Sequence, residues 1–275
     1  MLTQRDSILH LLADEDSETA DLVQEQLLAR GGDVLGDLRE LLPEANGRAE
    51  RRLRELMGQM ESRIAERKFG ELCGRIGDTS DIEEAAWLLA AVLQPGEDFT
   101  RAKEQLDAWG MELRLRIVGI ESAAHQATAL AEFLGEELNF CGDEDDYYTM
   151  ENSILPSVVE NRQGIPLSLS IVYMAVARRA GLVLHGVGLP GHFVVRLGNA
   201  FLDPFHNGRR LYLDDCQRLL EGQGYELQPH HLMPCKPRVM LARMLNNLLH
   251  IADEEGDGDL TAKLQGWMGT LQRAV

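Results

Sequence analysis

The apolar residues change their spacing partway along the chain, and no other feature of the sequence constrains the fold as strongly. Through the first half, and again at 166–179, they recur every three to four residues, which is the period of a helix with one buried face. Between about residues 183 and 213 the period becomes two, which predicts short β-strands joined by tight turns. The helical period returns at 238–252 and 260–273. The sequence therefore predicts an α+β protein: an α-helical first half, a helix-plus-antiparallel-sheet part and a short C-terminal helical hairpin.

Glycine and proline residues separate most of these runs and set the expected bounds of the elements. We divide the chain into a helical domain at 1–142, a helix-plus-sheet domain at 143–237 and a helical hairpin at 238–275. The expected helices cover 17–30, 34–42, 46–74, 81–94, 99–117, 120–138, 166–179, 238–252 and 260–273. The expected strands cover 183–187, 192–197, 200–203 and 208–213.

Charge and cysteine content exclude several classes of function. The 275 residues contain 27 Lys and Arg against 45 Asp and Glu, a formal net charge of −18, so the chain repels nucleic-acid phosphates and anionic lipid. No apolar run reaches the roughly 20 residues that span a bilayer, and the first residues lack the plan of a signal peptide. The four cysteines lie far apart without a CxxC pair, which indicates reduced thiols. We expect a cytoplasmic protein that uses no nucleic acid, membrane, metal or cofactor.

Three segments carry the chemistry of the chain. Gly164-Ile165-Pro166 begins a predicted helix, His192 begins a predicted strand, and Asp203 ends the next strand. In a papain-like arrangement the positive end of a helix lowers the pKa of a thiol, an imidazole accepts its proton, and a carboxylate fixes the imidazole tautomer. His192 and Asp203 suit the last two roles if their strands pair.

These segments resemble the SirB-type branch of the transglutaminase-like superfamily, whose fold is papain-like. The resemblance implies a helical part, a helix-plus-antiparallel-sheet domain, and a tail whose residues 242–248 look like the opening of a tetratricopeptide segment, here truncated. The carrying residues are Asp145-Asp146-Tyr147-Tyr148, Glu151-Asn152-Ser153, Asn161-Arg162-Gln163-Gly164-Ile165-Pro166-Leu167-Ser168-Leu169-Ser170, Leu189-Pro190-Gly191-His192-Phe193-Val194-Val195-Arg196 and Leu202-Asp203-Pro204-Phe205.

The position of the nucleophile departs from the superfamily. Its enzymes place a cysteine two residues after a glycine at the helix start, and that position corresponds here to Pro166 after Gly164. Proline offers neither a nucleophile nor a backbone N–H. The resemblance therefore implies the fold without the reaction centre, and the first hypothesis is a pseudoenzyme whose cleft binds a peptide or protein.

Other residues of these segments are candidate binding residues that are open to two interpretations each. Tyr147, Tyr148 and Asn152 either line the mouth of the cleft or cap the helix that follows. Arg162 and Arg196 either bind an anion or form structural ion pairs. Ser168 either contributes a hydroxyl to the binding site or, since it is turned away from the Pro166 direction, caps or packs the first helical turns. His206 is expected to be a turn residue.

Two further functions remain open at this point. In the first, the chain is a hydrolase or acyl transferase that acts on amide bonds, with His192 as base, Asp203 as its orienting group, and a hydroxyl or water as nucleophile. In the second, the helical first half is a scaffold whose groove binds a partner helix.

Overall fold

A computed structural model describes residues 5–14 and 17–273, and it has the α+β architecture that the sequence predicts. The strands are β1 (Cys141–Gly142), β2 (Gln163–Gly164), β3 (His185–Leu189), β4 (His192–Leu197), β5 (Ala200–Asp203) and β6 (Arg209–Leu211). The helices are α1 (Arg5–Ala13), α2 (Ser17–Ala29), α3 (Leu35–Leu41), α4 (Gly47–Arg75), α5 (Ile82–Leu93), α6 (Thr100–Arg116), α7 (Ala123–Ala131), α8 (Met150–Ser153), α9 (Leu155–Asn161), α10 (Pro166–Arg179), α11 (Leu213–Glu221), α12 (Pro237–Glu255) and α13 (Gly258–Arg273). None of the helices in the described ranges combines the length and the apolar character that crossing a membrane requires.

The chain forms two compact units, Met1–Glu71 with Leu88–Glu97, and Leu72–Trp87 with Asp98–Val275. Within the second unit, α6 packs along α10, and α12 packs against α8 and α10. Helices that precede and follow the sheet in the chain therefore contact the same central helix, α10.

The first unit is a helical cluster built on leucines. Apolar side chains of α1 to α4 meet in one core, with Leu12, Leu38 and Leu53 fully buried. The Arg52 guanidinium donates hydrogen bonds of 3.0 Å to the carbonyls of Leu12 and Asp14, which fixes the end of α1.

The second unit is organised around one antiparallel sheet and one buried helix. The strands β3, β4, β5 and β6 follow one another in a four-stranded meander. The helix α10 packs on β4, and its side chains are buried almost all round, which suits an apolar helix inside a domain. Pro166 begins α10 as its first helical residue, because the fixed φ of proline suits that position and its missing N–H is not needed there.

Three expected elements differ in the structure. The expected strand 183–187 is β3 at His185–Leu189, two residues further along. The expected strand 208–213 ends at Leu211, and α11 begins at Leu213, since the Asp215 carboxylate accepts a 2.8 Å hydrogen bond from the Tyr212 N–H and so caps a helix. The expected helix 120–138 is α7 followed by a π-helical turn at Glu132–Glu137. Gly135 lies in that turn, where a Cβ would come within 1.8 Å of the Asn207 carbonyl oxygen.

A buried ion-pair network ties the start of α5 to the end of α10. Glu83 is 4% exposed and accepts hydrogen bonds from Arg179 at 2.8 and 2.9 Å, from Arg178 at 2.6 Å and from the Trp87 indole at 3.0 Å. Burial acts to raise the pKa of Glu83, but these donors outweigh it and hold the pKa below the usual value. The carboxylate is therefore ionised and fully satisfied.

We predict that Glu83→Gln lowers the free energy of unfolding by about 2 kcal/mol at pH 7, because the arginines lose their only buried charge partner on α5. Since the pKa of Glu83 is depressed in the folded state, its contribution is present above the unfolded value of about 4.3 and is lost as the pH falls below it.

Urea unfolding of both proteins at pH 7 and pH 3.5 measures this difference. The matched control is Glu84→Gln, since Glu84 is half exposed and pairs with the exposed Arg75 at 2.9 Å, so a change of less than about 0.5 kcal/mol is expected. Equal losses for the two variants would contradict the assignment.

Candidate functional site

The register of the sheet brings His192 and Asp203 together. Val195 pairs with Leu202, and the same register continued by one residue places Asp203 opposite Val194. Because residues two apart in a strand share a face, the side chains of His192 and Asp203 become diagonal neighbours. The His192 Nε2 atom lies 3.0 Å from each carboxylate oxygen of Asp203, and Asp203 is fully buried.

A second histidine contacts the same carboxylate. His206 ends the single turn Pro204–His206 that follows β5, and its Nδ1 atom lies 2.8 Å from Asp203 Oδ2. The Phe205 N–H donates a 3.2 Å hydrogen bond to Asp203 Oδ1, so the carboxylate also caps this turn. His206 therefore lies in a turn, as the sequence predicts, but it also belongs to the site. The signal for it was the spacing Asp-Pro-x-His, in which the capping residue and the third residue of the turn face each other.

The buried carboxylate is ionised because two imidazoles surround it. Burial acts to raise the pKa of Asp203, but the hydrogen bonds and charges of His192 and His206 together hold it well below the usual range. The same hydrogen bond from His206 to Asp203 raises the pKa of His206. The site is thus an ionised Asp203 carboxylate that contacts one ring nitrogen of each of the two histidines.

His192 and Pro166 line one open cleft of about 530 Å³. Since Nε2 of His192 faces Asp203, Nδ1 is the ring nitrogen that remains for the cleft. Aromatic rings form part of the wall, because Tyr147 lies 4.8 Å from Tyr148 and 5.9 Å from Phe205 between ring centroids. No serine, threonine or cysteine is among the described residues that line this cleft.

The other residues expected at the site make structural hydrogen bonds instead of lining the cleft. Ser168 donates to the carbonyls of Asn152 at 2.6 Å and Ile165 at 3.1 Å. The Asn152 amide donates to the Asp143 carboxylate at 3.1 Å and the Asp146 carbonyl at 2.7 Å, which fixes the acidic loop.

The two arginines are likewise engaged elsewhere. Arg162 adopts a left-handed backbone with φ +60° and donates to the Leu138 carbonyl at 3.1 Å. Arg196 donates to the carbonyls of Gly198 at 2.6 Å and Leu232 at 3.1 Å. Of the six residues expected to bind a ligand, the structure brings Tyr147 and Tyr148 to the cleft and gives the other four these structural contacts.

None of the four cysteines is placed to act as a nucleophile. All four are free thiols. Burial raises the pKa of each, and the pKa of Cys73 reaches about 12. The nearby Asp143 carboxylate adds to the rise at Cys141. Because the thiolate is the reactive form, these shifts lower the reactivity of the thiols at neutral pH.

Arg243, a residue that the sequence analysis did not single out, holds the turn that carries His192. It projects from α12 and donates to the His192 carbonyl at 2.8 Å and to the Leu189 carbonyl at 3.2 and 3.3 Å. Its guanidinium also lies 5.2 Å from the centre of the Phe193 ring. Local sequence patterns contain no signal for this contact, because 51 residues separate its partners.

Comparison with known proteins agrees with this geometry. A family model described as "Transglutaminase-like superfamily" matches residues 100–246, more than half of the chain. The chain therefore belongs to the transglutaminase-like superfamily, and the matched residues include the sheet that carries His192 and Asp203.

Relatives of this chain occur in bacteria and in animals. A UPF0162 protein of Pseudomonas aeruginosa is 36% identical over 179 residues, which cover 63% of this chain and 66% of the relative. One from Xylella fastidiosa is 33% identical over 181 residues, 62% of this chain and 64% of the relative. Human F-box only protein 21 is 30% identical over 152 residues, 51% of this chain and 24% of that protein. The matches thus span just under two thirds of these two bacterial relatives, and no solved structure matches the chain.

We predict that Arg243→Met disturbs the site without removing any of its titratable groups. Two buried carbonyls lose their donor, so the free energy of unfolding should fall by about 1–3 kcal/mol. The imidazole resonances of His192 should shift in an NMR spectrum, because the turn before β4 is released.

Arg210→Met is the matched control, since Arg210 is an exposed arginine of the same unit that lies 5.6 Å from the Tyr212 ring. It should leave both the stability and the His192 resonances close to those of the wild type. If the His192 signals are the same in the two variants, Arg243 does not position this residue.

Proposed function

We propose that this chain is a non-catalytic, SirB-type member of the transglutaminase-like superfamily whose cleft binds a peptide or a segment of a protein. One observation carries the proposal: Pro166 lines the same cleft as His192 and is the first residue of α10. The resemblance to the superfamily implies that its enzymes present their thiol from this helix start. The histidine and its carboxylate are thus retained opposite a residue that cannot attack.

Nearby hydroxyls do not replace the missing nucleophile. Ser168 is 4% exposed and Ser170 is fully buried. Both donate their hydroxyl hydrogens to carbonyls, Ser168 to Asn152 and Ser170 to Pro166 at 2.7 Å. A serine nucleophile needs a base within hydrogen-bond reach, and these hydroxyls are instead part of the helix packing.

The walls of the cleft suit a peptide ligand. Tyr148 is 54% exposed, and its ring packs edge-on against Tyr147 and against His250 of α12, with centroids 4.8 and 4.4 Å apart. Half-exposed tyrosines supply large contact area at low entropic cost and often dominate binding energy. Glu144 and Gln223 add polar groups at the edge of the same cleft, which can pair with a peptide backbone.

The relatives support a domain that also occurs as one part of longer protein chains. In human F-box only protein 21 the similar region makes up 24% of the chain, so it is joined there to other parts. We further propose that α12 and α13, which pair as a hairpin around Gly256 with φ +72°, form a tetratricopeptide-like hairpin. The four free cysteines suit a reducing compartment, and we place this function in the cytoplasm.

A hydrolase or acyl transferase is the second candidate. The intact contact between His192 and Asp203 favours it, since an imidazole oriented by a carboxylate is a ready general base for water. It requires turnover that depends on His192 and not on any cysteine.

We predict that Tyr148→Ala weakens peptide binding at least tenfold, about 1.4 kcal/mol. The peptides are selected from a random display library on the full wild-type chain, and their affinities are then measured by fluorescence anisotropy. The control is Tyr225→Ala, because Tyr225 is 53% exposed and does not line the cleft, so its loss should leave affinity unchanged.

The same preparations decide between the two candidates. If the chain is non-catalytic, the wild type should turn over amide and ester substrates no faster than His192→Ala does. Turnover that needs His192 but survives replacement of all four cysteines would establish the hydrolase instead. Peptides whose affinity falls equally in both tyrosine variants, or in neither, would contradict binding in the cleft.

A further inference from the structure

Three side chains with metal-binding atoms converge at the inner edge of the cleft. His192 Nε2, the Asp203 carboxylate and His206 Nδ1 all lie within 4.8 Å of one another. Within residues 5–14 and 17–273, no other group of three or more histidine, cysteine or acidic side chains meets this spacing. We call these three residues the His–Asp–His cluster.

We propose that the His–Asp–His cluster binds one divalent transition-metal ion of the zinc class, through two imidazole nitrogens and one carboxylate. This site goes beyond the proposed peptide-binding function and does not depend on it. Three protein ligands leave a coordination position for water or for a group of a bound ligand on the side of the cleft.

The donor set selects the class of ion. Imidazole nitrogens suit zinc and its first-row neighbours, whereas calcium and magnesium prefer sites made of oxygen atoms. Zinc–ligand bonds are about 2.0–2.2 Å long. In octahedral or tetrahedral geometry, two neighbouring ligand atoms on the same ion are then about 3.0–3.5 Å apart. The donor separations are 3.0 Å from His192 to Asp203 and 2.8 Å from His206 to Asp203. The two separations to Asp203 therefore need only a few tenths of an ångström of expansion, and the two imidazole nitrogens lie within 4.8 Å of each other.

The supporting contacts hold the donors in place without the ion. Asp203 is oriented by the Phe205 N–H, and the backbone of His192 is held by Arg243. The turn with His206 is closed by a 2.9 Å hydrogen bond from the Gly208 N–H to the Asp203 carbonyl. Outer contacts of this kind fix ligand orientation in metal sites.

Metal binding changes where the imidazole hydrogens lie. An imidazole binds a metal ion through a ring nitrogen that carries no hydrogen. When the ion binds, any hydrogen on a ring nitrogen that faces Asp203 therefore moves to the opposite ring nitrogen or is released to solvent, and a nitrogen–metal bond replaces the hydrogen bond. Asp203 supplies one negative charge. Glu144 and Arg209, with opposite charges, both act on His206.

Access is from the cleft. The side chain of His206 is 41% exposed, that of His192 is 12% exposed, and Asp203 is inaccessible. His206 is thus the outermost ligand, and the ion enters and leaves the site beside it. Sequence inspection does not find this site, because its ligands are separated by eleven and three residues in a pattern that no common zinc motif shares.

Zinc titration of the full chain tests the site. After dialysis against EDTA, zinc chloride is titrated by calorimetry, and the melting temperature is recorded with and without zinc. We expect one equivalent to bind with a dissociation constant below about 1 μM, an increase in melting temperature, and no comparable effect of calcium chloride.

His206→Gln is the main variant, since its amide can still donate to Asp203 and the apo protein should remain folded. It should weaken zinc binding at least tenfold. His185→Gln is the matched control, because His185 is an exposed histidine on the same sheet and should leave binding unchanged.

The wild-type chain alone can overturn the proposal. Failure to bind zinc stoichiometrically, or binding that leaves the melting temperature unchanged, would contradict a built site. Zinc binding of equal strength in His206→Gln and the wild type would show adventitious binding at surface histidines, such as the adjacent His230 and His231, and would also contradict it.

Discussion

The second unit of this protein depends on satisfying one buried carboxylate. Asp203 is inaccessible to water, so its charge is tolerable only because two imidazoles and a backbone N–H surround it. Meeting this requirement fixes the register of β4 against β5 and the turn after β5. The backbone around the carboxylate is held in addition by Arg243, a residue of α12. The tail and the sheet are thus coupled through the residue that orients His192.

The start of α10 determines what this arrangement can do. The cleft combines an oriented histidine with the first residue of a helix, the place where the helix dipole best stabilises an anion. With Pro166 there, the site retains its electrostatic features and offers no side chain for attack. The proposed binding function needs no further change at this helix start, because the cleft walls are formed by other residues, among them Tyr147 and Tyr148.

Local patterns predicted much of the fold and part of the site. The bounds of α10 coincide with the expected 166–179, because proline marks its start and an apolar face runs to Arg179. The alternation at 192–197 and 200–203 was enough to put His192 and Asp203 on adjacent strands, and these strands are paired.

What the sequence did not predict depends on contacts between distant residues or on competing local signals. The residues around Tyr212 fit both a strand and the cap of α11, and the Asp215 hydrogen bond decides in favour of the helix. His206 and Arg243 join the site only through the turn geometry after β5 and the packing of α12. The backbone contacts of Arg162 and Arg196 are likewise tertiary, and no pattern in the flanking residues indicates them.

The central claim is that Pro166 occupies the position of a nucleophile facing His192, and one substitution tests it most directly. In Pro166→Cys, the rate of alkylation by iodoacetamide is measured against pH with EDTA present, beside the wild type and a double variant with His192→Ala. We predict an introduced thiol that reacts with an apparent pKa well below the ordinary value of about 8.5, and a return toward that value in the double variant. A folded Pro166→Cys protein whose new thiol is unreactive, or reacts with the same pKa with and without His192, would contradict the account.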